Sequence, residues 1–140
     1  MRGTVLIAML TLIISACNNA ADVKQDKALE KITETAKIQF EHESYNFGVV
    51  HYGDKVKHEF KFKNTGAVPL IITNAQASCG CTVPQIPKEP INPGKEGIIG
   101  VVFNTIGKSG MQNPVITISS NADPSIHRLH LTGEIIAAVQ

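Results

Sequence analysis

From Ile38 to Ile136 apolar and polar side chains tend to alternate. The clearest run is 55–63. There Val56, His58, Phe60 and Phe62 share one parity, and Lys55, Lys57, Glu59, Lys61 and Lys63 share the other. A two-residue period puts these sets on opposite faces of a strand, whereas a helix would scatter both around its axis. The same reading predicts strands at 38–42, 45–50, 69–77, 97–103, 114–119 and 126–132, the last continuing to Ile135-Ile136. Turn residues separate them: Tyr52-Gly53-Asp54, Asn64-Thr65-Gly66, and 105–110 with Gly107 and Gly110 free to take positive φ. Between the fourth and fifth runs lie Pro84, Pro87, Pro90 and Pro93. Proline cannot donate to a ladder, so this stretch is expected at a sheet edge or crossing between sheets. About seven strands with no internal helix predict an all-β fold, an antiparallel immunoglobulin-like sandwich over 38–136 with a tail at 137–140. The chain has no Trp, and so lacks the Cys…Trp…Cys signature of antibody domains; its core must be aliphatic and Phe.

The first 37 residues follow another pattern. Met1-Arg2-Gly3 is a basic head, and 4–14 is apolar, within the range of a secretory leader core and too short to span a bilayer stably. It ends Ile13-Ile14-Ser15-Ala16-Cys17. Small residues directly before a cysteine resemble the lipobox of bacterial lipoproteins. That resemblance implies a signal peptide at 1–16, lipid attachment at Cys17, and a mature chain starting there. Fatty acyl chains such as palmitate contribute about 0.8 kcal/mol per buried methylene, so several anchor stably. Residues 17–37 are polar and rich in Asn, Lys, Glu and Thr. They are expected to form a spacer of about twenty residues, reaching roughly 25 Å as a coil. Cell-envelope localisation follows, on the periplasmic or extracellular side of a membrane.

Composition narrows the function. Of 140 residues 43% are hydrophobic, enough for one core. Formal charge is +1 from 13 basic and 12 acidic side chains, and losing Arg2 with the leader leaves 12 against 12. A balanced chain is not expected to bind nucleic acid, which needs a basic face. Nucleophile elbows, His-Glu-x-x-His pairs and phosphate loops do not occur. Glu59, Glu96 and Glu134 are isolated. A small-molecule substrate is not expected, nor is an enzyme.

Candidate chemistry concentrates in Ser78-Cys79-Gly80-Cys81-Thr82. On an extended chain Cys79 and Cys81 would present both sulfurs to one side. Three readings stay open: a disulfide, for which the backbone must bend and which would serve as a redox handle; a copper or zinc site, needing further ligands; or two small side chains in a turn. Of five histidines, His58 and His127 share parity with core residues, whereas His42, His51 and His130 are expected at the surface. The lysines of 55–63 suit a guard against edge-to-edge strand pairing.

Several motifs follow one another along the chain: Phe47-Gly48-Val49-Val50, residues 56–62, Asn64-Thr65-Gly66, Pro69-Leu70, Ser78-Cys79-Gly80-Cys81-Thr82, Pro90-Ile91-Asn92-Pro93-Gly94 and residues 116–122. In this order they resemble the bacterial family called domain of unknown function 1573, over nearly the whole domain. The resemblance implies an immunoglobulin-like module of the sperm-protein and hydin type, often a secreted lipoprotein, without an assigned activity. The expectation is a lipid-anchored, non-catalytic envelope module that binds another envelope protein or serves structurally. The alternative is thiol redox or soft-metal handling through Cys79 and Cys81.

Overall fold

The structure is a computed structural model, described over residues 34–137. The proposed leader 1–16, Cys17, nearly all of the spacer 17–37 and the last residues of the tail lie outside the described residues. Among the described residues nine strands form: β1 (Ile38–Phe40), β2 (Ser44–His51), β3 (Lys55–Asn64), β4 (Ile72–Ala77), β5 (Thr82–Gln85), β6 (Glu96–Asn104), β7 (Gly110–Gln112), β8 (Val115–Ser120) and β9 (Ile126–Ile136). One sheet runs β1-β3-β6-β5; the other runs β2-β9-β8-β4, with β7 added against β9. Their inward side chains interlock into one core led by Phe60, Phe62, Phe103, Leu70, Ile99, Ile116, Leu129 and Leu131, all fully buried. Alternation thus placed the core correctly: β3 buries Val56, Phe60 and Phe62 while its lysines stay exposed. Ala36, just before β1, is also buried and bridges to Ala122.

Three details differ from the sequence reading. Two additional short strands form, β5 inside the proline-rich bend and β7 at the end of the expected 105–110 turn. The pairing of β2 with β9 is parallel, whereas the other strand pairs are antiparallel; the isolated Ala36–Ala122 bridge is parallel as well. His130 is half-buried, because its strand is flanked by β2 and β8 at that register; His51 is also only partly exposed. Short strands are set by long-range pairing, which local periodicity does not report.

The sheet edges explain two sequence features. The bond from Asn104 N to Cys81 O marks Cys81–Asn104 as a hydrogen-bonded pair of the β5–β6 register. Alternation then turns Val83 and Gln85 toward β6, and turns Pro84 toward the open side, where a missing N–H is harmless. Likewise the bonds from Thr105 N to Asp54 O and Asn64 N to Lys95 O make the even-numbered residues of β3 bond to β6. Lys55, Lys57 and Glu59 therefore direct their backbone groups to the other side, and β1 pairs only with 62–64. The lysine guard applies to this uncovered half of β3, not to the whole strand.

Candidate functional site: the Cys79–Cys81 turn and its cleft

Between β4 and β5 the chain crosses from one sheet to the other, and the Cys-Gly-Cys makes the crossing. Ser78 fastens the entry to β8: its N–H donates to Val115 O at 2.8 Å, and its Oγ accepts from Val115 N at 3.0 Å. Cys81 O fastens the exit to β6 by accepting from Asn104 N at 2.8 Å. Thr82 N donates back to Cys79 O at 3.3 Å and tightens the turn. The bend brings the Cys79 and Cys81 α-carbons to 5.2 Å, within reach of a bridge, and the two sulfurs are bonded as a disulfide. Gly80 has open space where a β-carbon would stand, so the turn can be approached closely from solvent.

The two sulfurs have different surroundings. Cys81 packs against the hydrophobic core and lines an open cleft of about 420 Å³. Lys55, Gly80, Val83, Val102, Asn104 and Ile106 complete the cleft, with Val83 56% and Ile106 57% exposed. Thr82 is buried, and its Oγ1 lies 3.5 Å from Cys79 Sγ and 3.9 Å from Cys81 Sγ. Bridged sulfurs have no proton to give, so the hydroxyl is the donor to either.

Sequence reasoning singled out the cysteines but missed Lys55 and Thr82 as their companions. Lys55 pairs with Asn104 across β3–β6, and Asn104 pairs with Cys81 across β6–β5, so two registers bring residues 55 and 81 into one row. Thr82 had a local signal: it directly follows the second cysteine.

The bridge leaves neither sulfur as a thiolate to bind a metal ion. Among the described residues no three of His, Cys, Asp and Glu come together as a metal-holding group. The histidines lie elsewhere. His127 sits edge-on to Phe40 and 4.0 Å from Glu43, and His51 lies 3.9 Å from Asp54.

His58 stacks flat on Tyr45, with ring centroids 3.7 Å apart, and meets Phe60 edge-on. Burial holds its pKa below the ordinary 6.5; Glu59 opposes this and His42 adds to it. In the window just below 6.5 the unfolded chain therefore binds the proton more readily than the folded one. Stability should fall as pH drops through that window and level off once folded His58 is also protonated. In urea titrations across pH, His58→Gln should flatten this part of the slope. An unchanged slope would show that burial of the ring does not oppose its charge.

The comparisons agree with this architecture. The model of the family described as "Protein of unknown function (DUF1573)" matches residues 38–135. This chain belongs to that family. No curated protein matches DUF1573's present member in sequence. Among solved structures, a protein of unknown function from Porphyromonas gingivalis W83 is similar, with TM-score 0.63 and 18% identity over 72% of this chain and 47% of that one. The present chain thus spans about half the length of that relative. The ASH/PapD-like domain 7 of human CEP192 is similar at TM-score 0.58 and 12% identity, covering 76% of this chain and 89% of that one. The secreted serine protease VesC from Vibrio cholerae follows at TM-score 0.56 and 15% identity, covering 74% and 24%. At such identities the likeness is one of fold.

Proposed function

We propose that this DUF1573 domain is a non-catalytic binding module of a bacterial cell envelope, held to a membrane by acyl chains on Cys17. The observation that carries the binding role is the outer face of the β1-β3-β6-β5 sheet. Val83 and Ile98 stand exposed there, with half-buried Val102 between β3 and β5, and the exposed lysines of β3 run alongside. Apolar side chains next to a basic row suit a protein partner with apolar anchors and an acidic rim. The leader pattern ending at Cys17 supports the anchor.

Two measurements test the reading. Cys17→Ala should move the protein from the membrane fraction to the soluble envelope fraction, and globomycin should cause an uncleaved precursor to accumulate. A photo-crosslinker at position 83 should capture an envelope protein, and Val102→Glu should abolish that capture. Unchanged membrane retention in Cys17→Ala would defeat the anchor, and no crosslink at 83 would defeat the binding face.

A second reading, thiol–disulfide exchange, is favoured by the Cys79–Cys81 bridge at the mouth of an open cleft.

A further inference from the structure

We infer that the Cys79–Cys81 disulfide exchanges with a dithiol protein that docks in the cleft beside Lys55, that Cys81 is the sulfur attacked, and that Thr82 holds the departing Cys79. This rests on the exchange reading above and assigns its parts.

Loop size argues first against a purely structural bridge. A disulfide restricts the unfolded chain more the longer the loop it closes, growing with the logarithm of its length. Its partners here are two residues apart. By the chain-entropy relation so short a loop contributes far less than one of about 100 residues. The fold is built on its fully buried Phe, Ile and Leu side chains, so it should survive reduction. A bridge that opens without unfolding its host is suited to exchange.

The surroundings give the direction of attack. Cys81 lines the cleft. An incoming thiolate reaches it past Gly80, where no side chain intervenes. Lys55 supplies positive charge in the same cleft, and Val83 and Ile106 supply exposed apolar walls. The partner is therefore a protein whose reactive thiol is flanked by apolar and acidic residues.

In the first step the partner's thiolate forms a bond to Cys81 Sγ. The Cys79–Cys81 bond breaks, and its electron pair leaves on Cys79 Sγ. The Thr82 hydroxyl, 3.5 Å away, donates to this developing thiolate, which then takes a proton from water. In the second step the partner's other thiol, its proton given up to water as the first one's was, attacks its own bridged sulfur; the electron pair leaves on Cys81 Sγ, which also takes a proton from water. The domain gains two electrons and two protons, and the partner dithiol becomes a disulfide. The reverse sequence oxidises the domain.

The test uses the full-length chain in detergent, with dithiothreitol as dithiol probe and glutathione as monothiol probe. Dithiothreitol should reduce the bridge without denaturant, with an unchanged circular dichroism spectrum. After brief glutathione treatment and acid quench, fragment-ion mapping should find the adduct on Cys81. Thr82→Val should slow reduction about tenfold, the scale of one hydrogen bond to a charged group, and Thr82→Ser should restore the rate. A bridge reducible only after unfolding overturns the exchange reading itself. Ready reduction with the adduct on Cys79 overturns the direction of attack and leaves exchange standing. A folded Thr82→Val reduced at the wild-type rate, or a folded Thr82→Ser as slow as the valine variant, overturns the role of the hydroxyl.

Discussion

Replacing Asn64 with alanine should destabilise the domain by about 4 kcal/mol, because the change removes four part-buried hydrogen bonds that reach three chain segments. Asn64 ends β3 and is fully buried. Its Nδ2 donates to Val68 O and to Ile91 O, each at 2.8 Å. Its Oδ1 accepts from Gly66 N at 2.9 Å and, more weakly, from Lys37 N at 3.5 Å. Its backbone N donates to Lys95 O, and its backbone O accepts from Gly94 N. One side chain therefore joins the entry to β1, the turn after β3 and the proline-rich approach to β6. Its full hydrogen-bonding capacity is used, which is how a buried amide becomes favourable. For a domain of about 100 residues, a loss of this size lowers the melting temperature by roughly 20 °C. Asn64→Asp should do no better than alanine, since a carboxylate would face the two carbonyls that Nδ2 now satisfies. Urea midpoints for the two variants decide the matter. A loss below about 1 kcal/mol for Asn64→Ala would mean that water replaces the amide freely.

Asn64 also indicates how far the sequence can be read. Its parity continues that of Val56, Phe60 and Phe62, so alternation alone places it inside. A tight turn accounts equally well for Asn64-Thr65-Gly66, however, and that reading hides the polar hub. Strand periodicity, the turns at Gly107 and Gly110 and the edge role of the prolines were all legible, because each is a local property of the chain. Pairing was not. The parallel contact of β2 with β9, the short strand β7 and the row Lys55–Asn104–Cys81 depend on which distant segments meet. The cysteine pair stood out by composition, but the difference between its two sulfurs arises from neighbours that only the folded registers supply.

The β2–β9 contact leads to the other large effect: Gly133→Val should cost about 3 kcal/mol, as overpacking of a tight contact does. The register of the two strands slips at Phe47, with Asn46 opposite Thr132 and Gly48 opposite Gly133. The slip is stabilised locally. Gly48 takes φ +70°, a conformation that glycine enters without steric penalty, and its N–H donates to Asn46 Oδ1 at 2.8 Å. The displaced Phe47 ring lies against Gly133 and packs with Phe103, ring centroids 5.7 Å apart. A β-carbon on Gly133 would overlap that ring and stand 2.6 Å from Gly48 O. A ring can move; the carbonyl is held by the bulge. Phe47→Ala combined with Gly133→Ala should therefore recover only part of the loss seen in Gly133→Ala alone. Full recovery in urea unfolding would place the whole conflict in the ring, whereas no loss in Gly133→Ala would mean that β2 and β9 separate there at little cost. In either case the parallel contact would not depend on a bare backbone at residue 133.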